Sequence, residues 1–216
     1  MMFFTSNVPA KLSAQQQARL KDWLYQWQLD RRLRRQVEQD ASPVGQEQHL
    51  AHKQAFAGLI TQFSKEPQPA VGQIRLLAPS LVPADSSPAF VAVLRQTATG
   101  EYLVAPFSRF QTPAVPQEIL LRKSPPAMTV LCLWNARPVS SFVLSQSWLA
   151  SELSTDELAD AITVCRSMGS QEYFPKEIAD RVGPPVYDLA DERFDYMDAA
   201  GELWSEITSF PDKETE

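Results

Sequence analysis

The residues best suited to chemistry stand where apolar runs give way to polar ones. Arg95 ends the run Phe90–Leu94, and Ser108 with Arg109 ends the run Tyr102–Phe107. Trp134, Asn135 and Arg137 close the most apolar stretch of the chain, Met128–Trp134. An aromatic ring, an amide and a guanidinium at a strand exit offer directional contacts and could line a recognition pocket. The same residue types also supply ordinary turn chemistry. A second concentration of charge is the run Arg31, Arg32, Arg34 and Arg35, with Trp23, Tyr25 and Trp27 just before it. Guanidinium forks and aromatic faces could hold phosphates and bases. Alternatively they form a solvated helix face over packed aromatics, or a landing site for the acidic segment 188–206 of the same or another copy.

Other chemistries find few components. His49 and His52 are the only histidines. Their spacing places them on one helical face, but no nearby cysteine or suitably spaced carboxylate completes a metal set. A Ser-His-Asp or Cys-His arrangement would have to recruit one of these two, and no local motif marks it. The 7 glycines build neither a GxGxxG fingerprint nor a Walker loop. The expectation is no catalytic residue, no metal and no cofactor.

Composition narrows the class. With 44% hydrophobic and 10% aromatic residues in 216, the chain can bury a substantial core. No run approaches the ~18–20 apolar residues of a membrane span, and MMFFTSNVPAK lacks the basic region and apolar length of a signal peptide. Cys132 and Cys165, both in apolar surroundings, read as free thiols of a reducing cytoplasm. The net charge of −6 conceals segregation. Residues 1–66 carry +3, residues 67–184 carry −1, and residues 185–216 carry −8. A basic front and an acidic end favour mutual attraction over a general affinity for nucleic acid.

The elements that must position these groups follow from periodicity and capping. Ser13 with Gln16 forms a capping box that opens a helix running to about Gln39, with Leu20, Trp23, Leu24, Trp27, Leu33 and Val37 along one side. After the break ASPVG, a second amphipathic helix over Gln46–Phe63 should pair antiparallel with the first. The β region begins at Gly72–Ala78. Residues 89–110 read as a hairpin whose loop closes at Gly100. Met128–Trp134 is expected as a central strand and Ser140–Leu144 as a short additional one. A proline-bearing loop, 79–88, and a second proline-rich stretch, 112–126, separate these strands. Ser154 with Glu157 caps a helix to about Met168 with Leu158, Ile162 and Cys165 on its apolar stripe, Pro175–Val182 is a short helix, and Phe194–Ile207 is helical.

The segments GQIRLL (72–77), AFVAVL (89–94) and YLVAPFS (102–108) resemble the SH3-like barrel of PemK/MazF-type growth-inhibitor proteins. The resemblance implies a small barrel and an RNA-directed activity, with Arg95, Ser108 and Arg109 on the working face and Ser108 matching the family's Thr/Ser. The family's active arginine precedes a proline, and this chain has Ser87 before Pro88.

The combined expectation is an α+β protein. A helical pair (1–66) precedes a small bent antiparallel sheet or SH3-like partial barrel (67–150), followed by helices and an acidic end (151–216). Its expected role is a non-catalytic cytoplasmic interaction or regulatory protein that forms a homodimer or binds a protein partner, without contact to a membrane. The alternative is a PemK/MazF-related protein that binds or cleaves RNA.

Overall fold

In the computed structural model, the described residues are 12–39, 57–58, 60–66, 68–82, 89–167, 174–188 and 190–208. Most of the second expected helix, with His49 and His52, lies outside them, as do Ser87 and Pro88. The first helix, α1, spans Ala14–Gln39. Its capping box forms as expected: Gln16 N donates to Ser13 Oγ at 3.2 Å, and Ser13 N donates to Gln16 Oε1 at 3.0 Å.

The hairpin is the centre of the fold. Strand β1 is Gln73–Leu76, β2 is Phe90–Gln96 and β3 is Tyr102–Pro106. Gly100 closes the turn at φ +87°, in the left-handed region that a side chain would strain. The first five residues of β2 are all buried because both faces of the sheet are covered. Phe90, Ala92 and Leu94 point into one cluster with Ala161 and Val164, while Val91 and Val93 point into another with Leu144, Trp204 and Ile207. The period-2 alternation thus feeds two cores from one strand.

Six later elements complete the core: β4 (Glu118–Leu120), β5 (Val130–Cys132), β6 (Arg137–Val139), α2 (Ser141–Ser145), β7 (Trp148–Glu152) and α3 (Thr155–Arg166). The last helices are α4 (Lys176–Ala179) and α5 (Glu192–Thr208). The main sheet is antiparallel in the order β6-β3-β2-β1-β7, and β4 pairs with β5 as a separate ribbon. This α+β arrangement is an open sheet. Among the described residues its outer strands β6 and β7 do not pair with each other, so the small antiparallel sheet does not close into a barrel. The sheet extends past residue 150, since β7 runs through to Glu152.

Two strand expectations are corrected. Met128–Trp134 is not central to the main sheet. Only Val130–Cys132 is extended, within the ribbon, and Leu133–Asn135 coils into a 3₁₀ turn. Ser140–Leu144 is helical because the Ser140 hydroxyl accepts from Val143 N and caps α2. The second capping box, Ser154 with Glu157, is present at the start of α3. That helix buries Ala161 and Val164 most deeply, with Leu158 and Cys165 packed beside them.

One glycine holds two segments together. A Cβ on Gly183 would stand 2.4 Å from Val115 N and 2.5 Å from Val115 O. Gly183 N itself donates to Val115 O at 3.1 Å, so the backbones touch. Gly183→Ala should therefore lower stability by about 3 kcal/mol, because neither backbone can retreat without losing hydrogen bonds. Thermal unfolding would show it, and an unchanged midpoint would mean that the two segments tolerate separation.

Candidate functional site

The densest polar constellation is buried where the ribbon meets α5. Glu118 opens the apolar run EILL, and the β4–β5 register sets it directly opposite Cys132. Its side chain is 0% exposed, a costly place for a carboxylate unless its oxygens are occupied. They are occupied. Oε1 accepts from Tyr196 Oη at 2.7 Å, from Trp134 Nε1 at 3.0 Å and from the Cys132 thiol at 3.5 Å. Oε2 accepts from Ala114 N at 2.6 Å.

The hydrogen-bond directions can be followed outward. Tyr196 spends its one proton on Glu118, so at its 3.3 Å contact with Ser108 Oγ it must accept. Ser108 donates there and accepts in turn from Phe110 N at 3.1 Å. Burial, opposed by these donors, raises the Glu118 carboxyl above its ordinary 4.5. Burial first, and the neighbouring carboxylate second, push the Cys132 thiol well above 9.0. Burial also holds the Tyr196 phenol well above 10.0. A thiol held protonated in a closed core is a poor nucleophile.

An aromatic lid closes the constellation. Trp23 and Trp27 of α1 stack at 6.0 Å, and each meets the edge of Phe110 and Tyr196 at 5.4–6.2 Å. Trp134 adds a further edge contact to Tyr196 at 6.0 Å. The four-residue spacing of Trp23 and Trp27 puts both rings on the buried side of α1. The stacking role available to these tryptophans is thus spent inside the protein.

The six candidate residues do not meet in one cleft. Ser108 and Trp134 join the Glu118 network. Arg109 pairs with Asp30 at 2.7 Å and lies 5.1 Å from the Phe110 ring centroid, beneath α1. Asn135 is buried and donates to Ala200 O at 3.2 Å. Arg95 pairs across the sheet with Leu103, whereas Arg137 pairs with Val104. Adjacent residues of β3 face opposite sides, as do the clusters joined by Leu103 and Val104, so the two arginines diverge.

Of the basic helix patch, Arg31 is half-buried and bridges Glu192 at 3.6 Å and Asp195 at 3.9 Å. Arg34 pairs with Asp30 at 3.2 Å, while Arg32 and Arg35 are exposed. A shallow groove of 220 Å³ is lined by Gln28, Arg31, Arg32, Arg35 and Glu192. Among the described residues, no group of three or more His, Cys, Asp or Glu could hold a metal. No helix among them is long and apolar enough to cross a membrane.

Sequence reasoning missed Glu118, Tyr196 and Arg193. A single carboxylate heading the run EILL was the available sign of a buried acid. Arg193, 2% exposed at the start of α5, had no comparable local signal. Comparison with known proteins finds no matching protein family, no matching curated protein and no matching solved structure.

Proposed function

We propose that this chain is a non-catalytic cytoplasmic interaction or regulatory protein. The observation that supports the reading is where the polar groups are spent. Ser108, Trp134, Cys132 and Glu118 are consumed in a closed network, while α1 keeps apolar and basic side chains in solvent. A buried network that is fully satisfied fixes structure, and an exposed helix face is the part left to meet a partner.

The test is capture from soluble extract by the immobilised full-length chain, beside a variant carrying Leu29→Asp and Arg32→Glu. The expected result is a saturable partner retained by the wild type and lost from the variant. A wild type that retains nothing, and stays monomeric at every concentration tested, would remove the reading.

The competing proposal is an RNA-binding or RNA-cleaving protein related to PemK/MazF. It has less support, because Ser108 and Arg109 are committed internally and Arg95 stands apart from Arg137. Mixed-sequence RNA should remain intact and unbound at low salt. Salt-sensitive binding that Arg109→Ala weakens would put this proposal first.

A further inference from the structure

We propose that two copies of this chain pair through α1 and α5, the basic ridge of each lying on the acidic ridge of the other. The inference rests on the interaction reading above and names its partner. Tyr25, Leu29 and Leu33 are 71%, 46% and 54% exposed. Their spacing of four aligns them on one outward stripe of α1, and three large apolar side chains in line on one helix are more than scattered surface exposure. Arg32 and Arg35 stand exposed beside that stripe and have no ion-pair partner among the described residues.

The neighbouring helix carries the opposite charge. Asp195, Asp198, Glu202 and Glu206 are exposed on α5, together with Phe194. The two helices touch within one chain through Trp23, Trp27 and Tyr196, and their seam is bridged by Arg31 with Glu192 and Asp195. A positive ridge therefore adjoins a negative ridge, each with an apolar component. A two-fold axis sets α1 on the partner's α5 and α5 on the partner's α1, so both contacts are attractive at once. Stacking α1 on α1 would instead oppose two helices that each hold more basic than acidic residues.

Size decides the strength expected. A helix presents a strip roughly 10 Å wide, so the outward strips of α1 and α5 run about 39 Å and about 25 Å. That is on the order of 500–800 Å² per partner, the lower end of stable interfaces. The dimer should be reversible, sensitive to salt and driven by both stripe and charge.

The experiment uses charge reversal and rescue in the full chain, read by sedimentation equilibrium and light scattering. One variant carries Arg32→Glu and Arg35→Glu, the other Asp198→Lys and Glu202→Lys. All four positions are exposed, so folding should persist, with circular dichroism as the check. The wild type should dimerise at low salt, and each variant alone should lose association by on the order of a hundredfold. An equimolar mixture should recover a heterodimer, because one contact is restored in reversed sign and the other stays wild type. Failure of the mixture to associate, or a wild-type dimer indifferent to both reversals, overturns the proposal. A monomeric wild type that still captures another protein, or RNA, through Leu29 and Arg32 overturns self-pairing and leaves α1 as an interaction surface. A monomer that captures nothing overturns both readings.

Discussion

Glu118→Leu should lower the free energy of unfolding by about 3–5 kcal/mol, with a fall in thermal midpoint on the order of 10 °C. The substitution keeps the volume roughly constant but strands three strong donors: Tyr196 Oη, Trp134 Nε1 and Ala114 N. Each buried donor without an acceptor costs about 1–3 kcal/mol, and the exchange of a carboxylate for an apolar group recovers part of the total. Urea unfolding followed by tryptophan fluorescence would measure the effect as a midpoint shift at constant slope. A shift below about 1 kcal/mol would show that the network contributes little to stability.

Glu118→Gln separates charge from shape. The amide oxygen can still accept from Tyr196 and Trp134, but the amide nitrogen would face Ala114 N, donor against donor. A loss of about 1–3 kcal/mol follows at neutral pH. The pH dependence changes as well. Burial raises the Glu118 carboxyl above 4.5, so the native state holds its proton more tightly than the unfolded chain does. That stabilisation is fully present below the unfolded carboxyl range and is lost as pH rises through the higher folded value. Glu118→Gln should flatten this part of the stability profile. A variant whose pH profile parallels that of the wild type would show that Glu118 is not its source.

Arg193→Met should cost a similar amount, about 3–5 kcal/mol. The guanidinium is 2% exposed and donates to Ala114 O at 3.0 Å, Pro184 O at 2.8 Å and Pro185 O at 3.2 Å. It also holds Asp191 bidentately, through Nε at 2.9 Å and Nη2 at 2.6 Å. Methionine fills the space but leaves three carbonyls without partners and the Asp191 carboxylate with only the backbone N–H of residue 193. Arg193→Lys would not rescue it fully, because an ammonium cannot reproduce the planar fork.

The sign of the accompanying pH effect is opposite to that at Glu118. The Arg193 hydrogen bond holds the Asp191 carboxyl below its ordinary 3.8. The resulting stabilisation is present above the unfolded value and is lost as pH falls through the lower folded one. Arg193→Met should remove that acid-side loss. Differential scanning calorimetry across the acidic range would detect it, and a retained loss would assign the effect elsewhere.

The two hubs are coupled through one residue. Ala114 N serves Glu118 and Ala114 O serves Arg193, so both side chains clamp residues 114–118 onto α5. The combined variant should therefore cost less than the two single losses added together. This clamp also explains how a proline-bearing stretch acquires order. The backbone N–H and C=O of Ala114 find buried side chains where the ladder of β4 has not yet begun.

The sequence alone determined the features whose causes lie within a few residues. Ser13 and Ser154 announce their capping boxes because each partner sits three positions away. Gly100 announces the turn, and the continuous apolar run Phe90–Leu94 announces a strand, while its burial between two cores is decided by what covers each face of the sheet. The amphipathic pattern near Phe194–Ile207 likewise becomes α5. Only the tertiary structure decided what depends on distant partners. Glu118 looks like a loop acid until Tyr196, 78 residues later, supplies its hydrogen bond. Ser108 looks like a candidate for chemistry until the same tyrosine, 88 residues away, accepts its proton. Trp148–Glu152 lacks a distinctive pattern and is a strand because β1 offers it an edge. Local spacing encodes caps, turns and periodicity, whereas the burial of a polar group is fixed by whatever the completed fold brings to meet it.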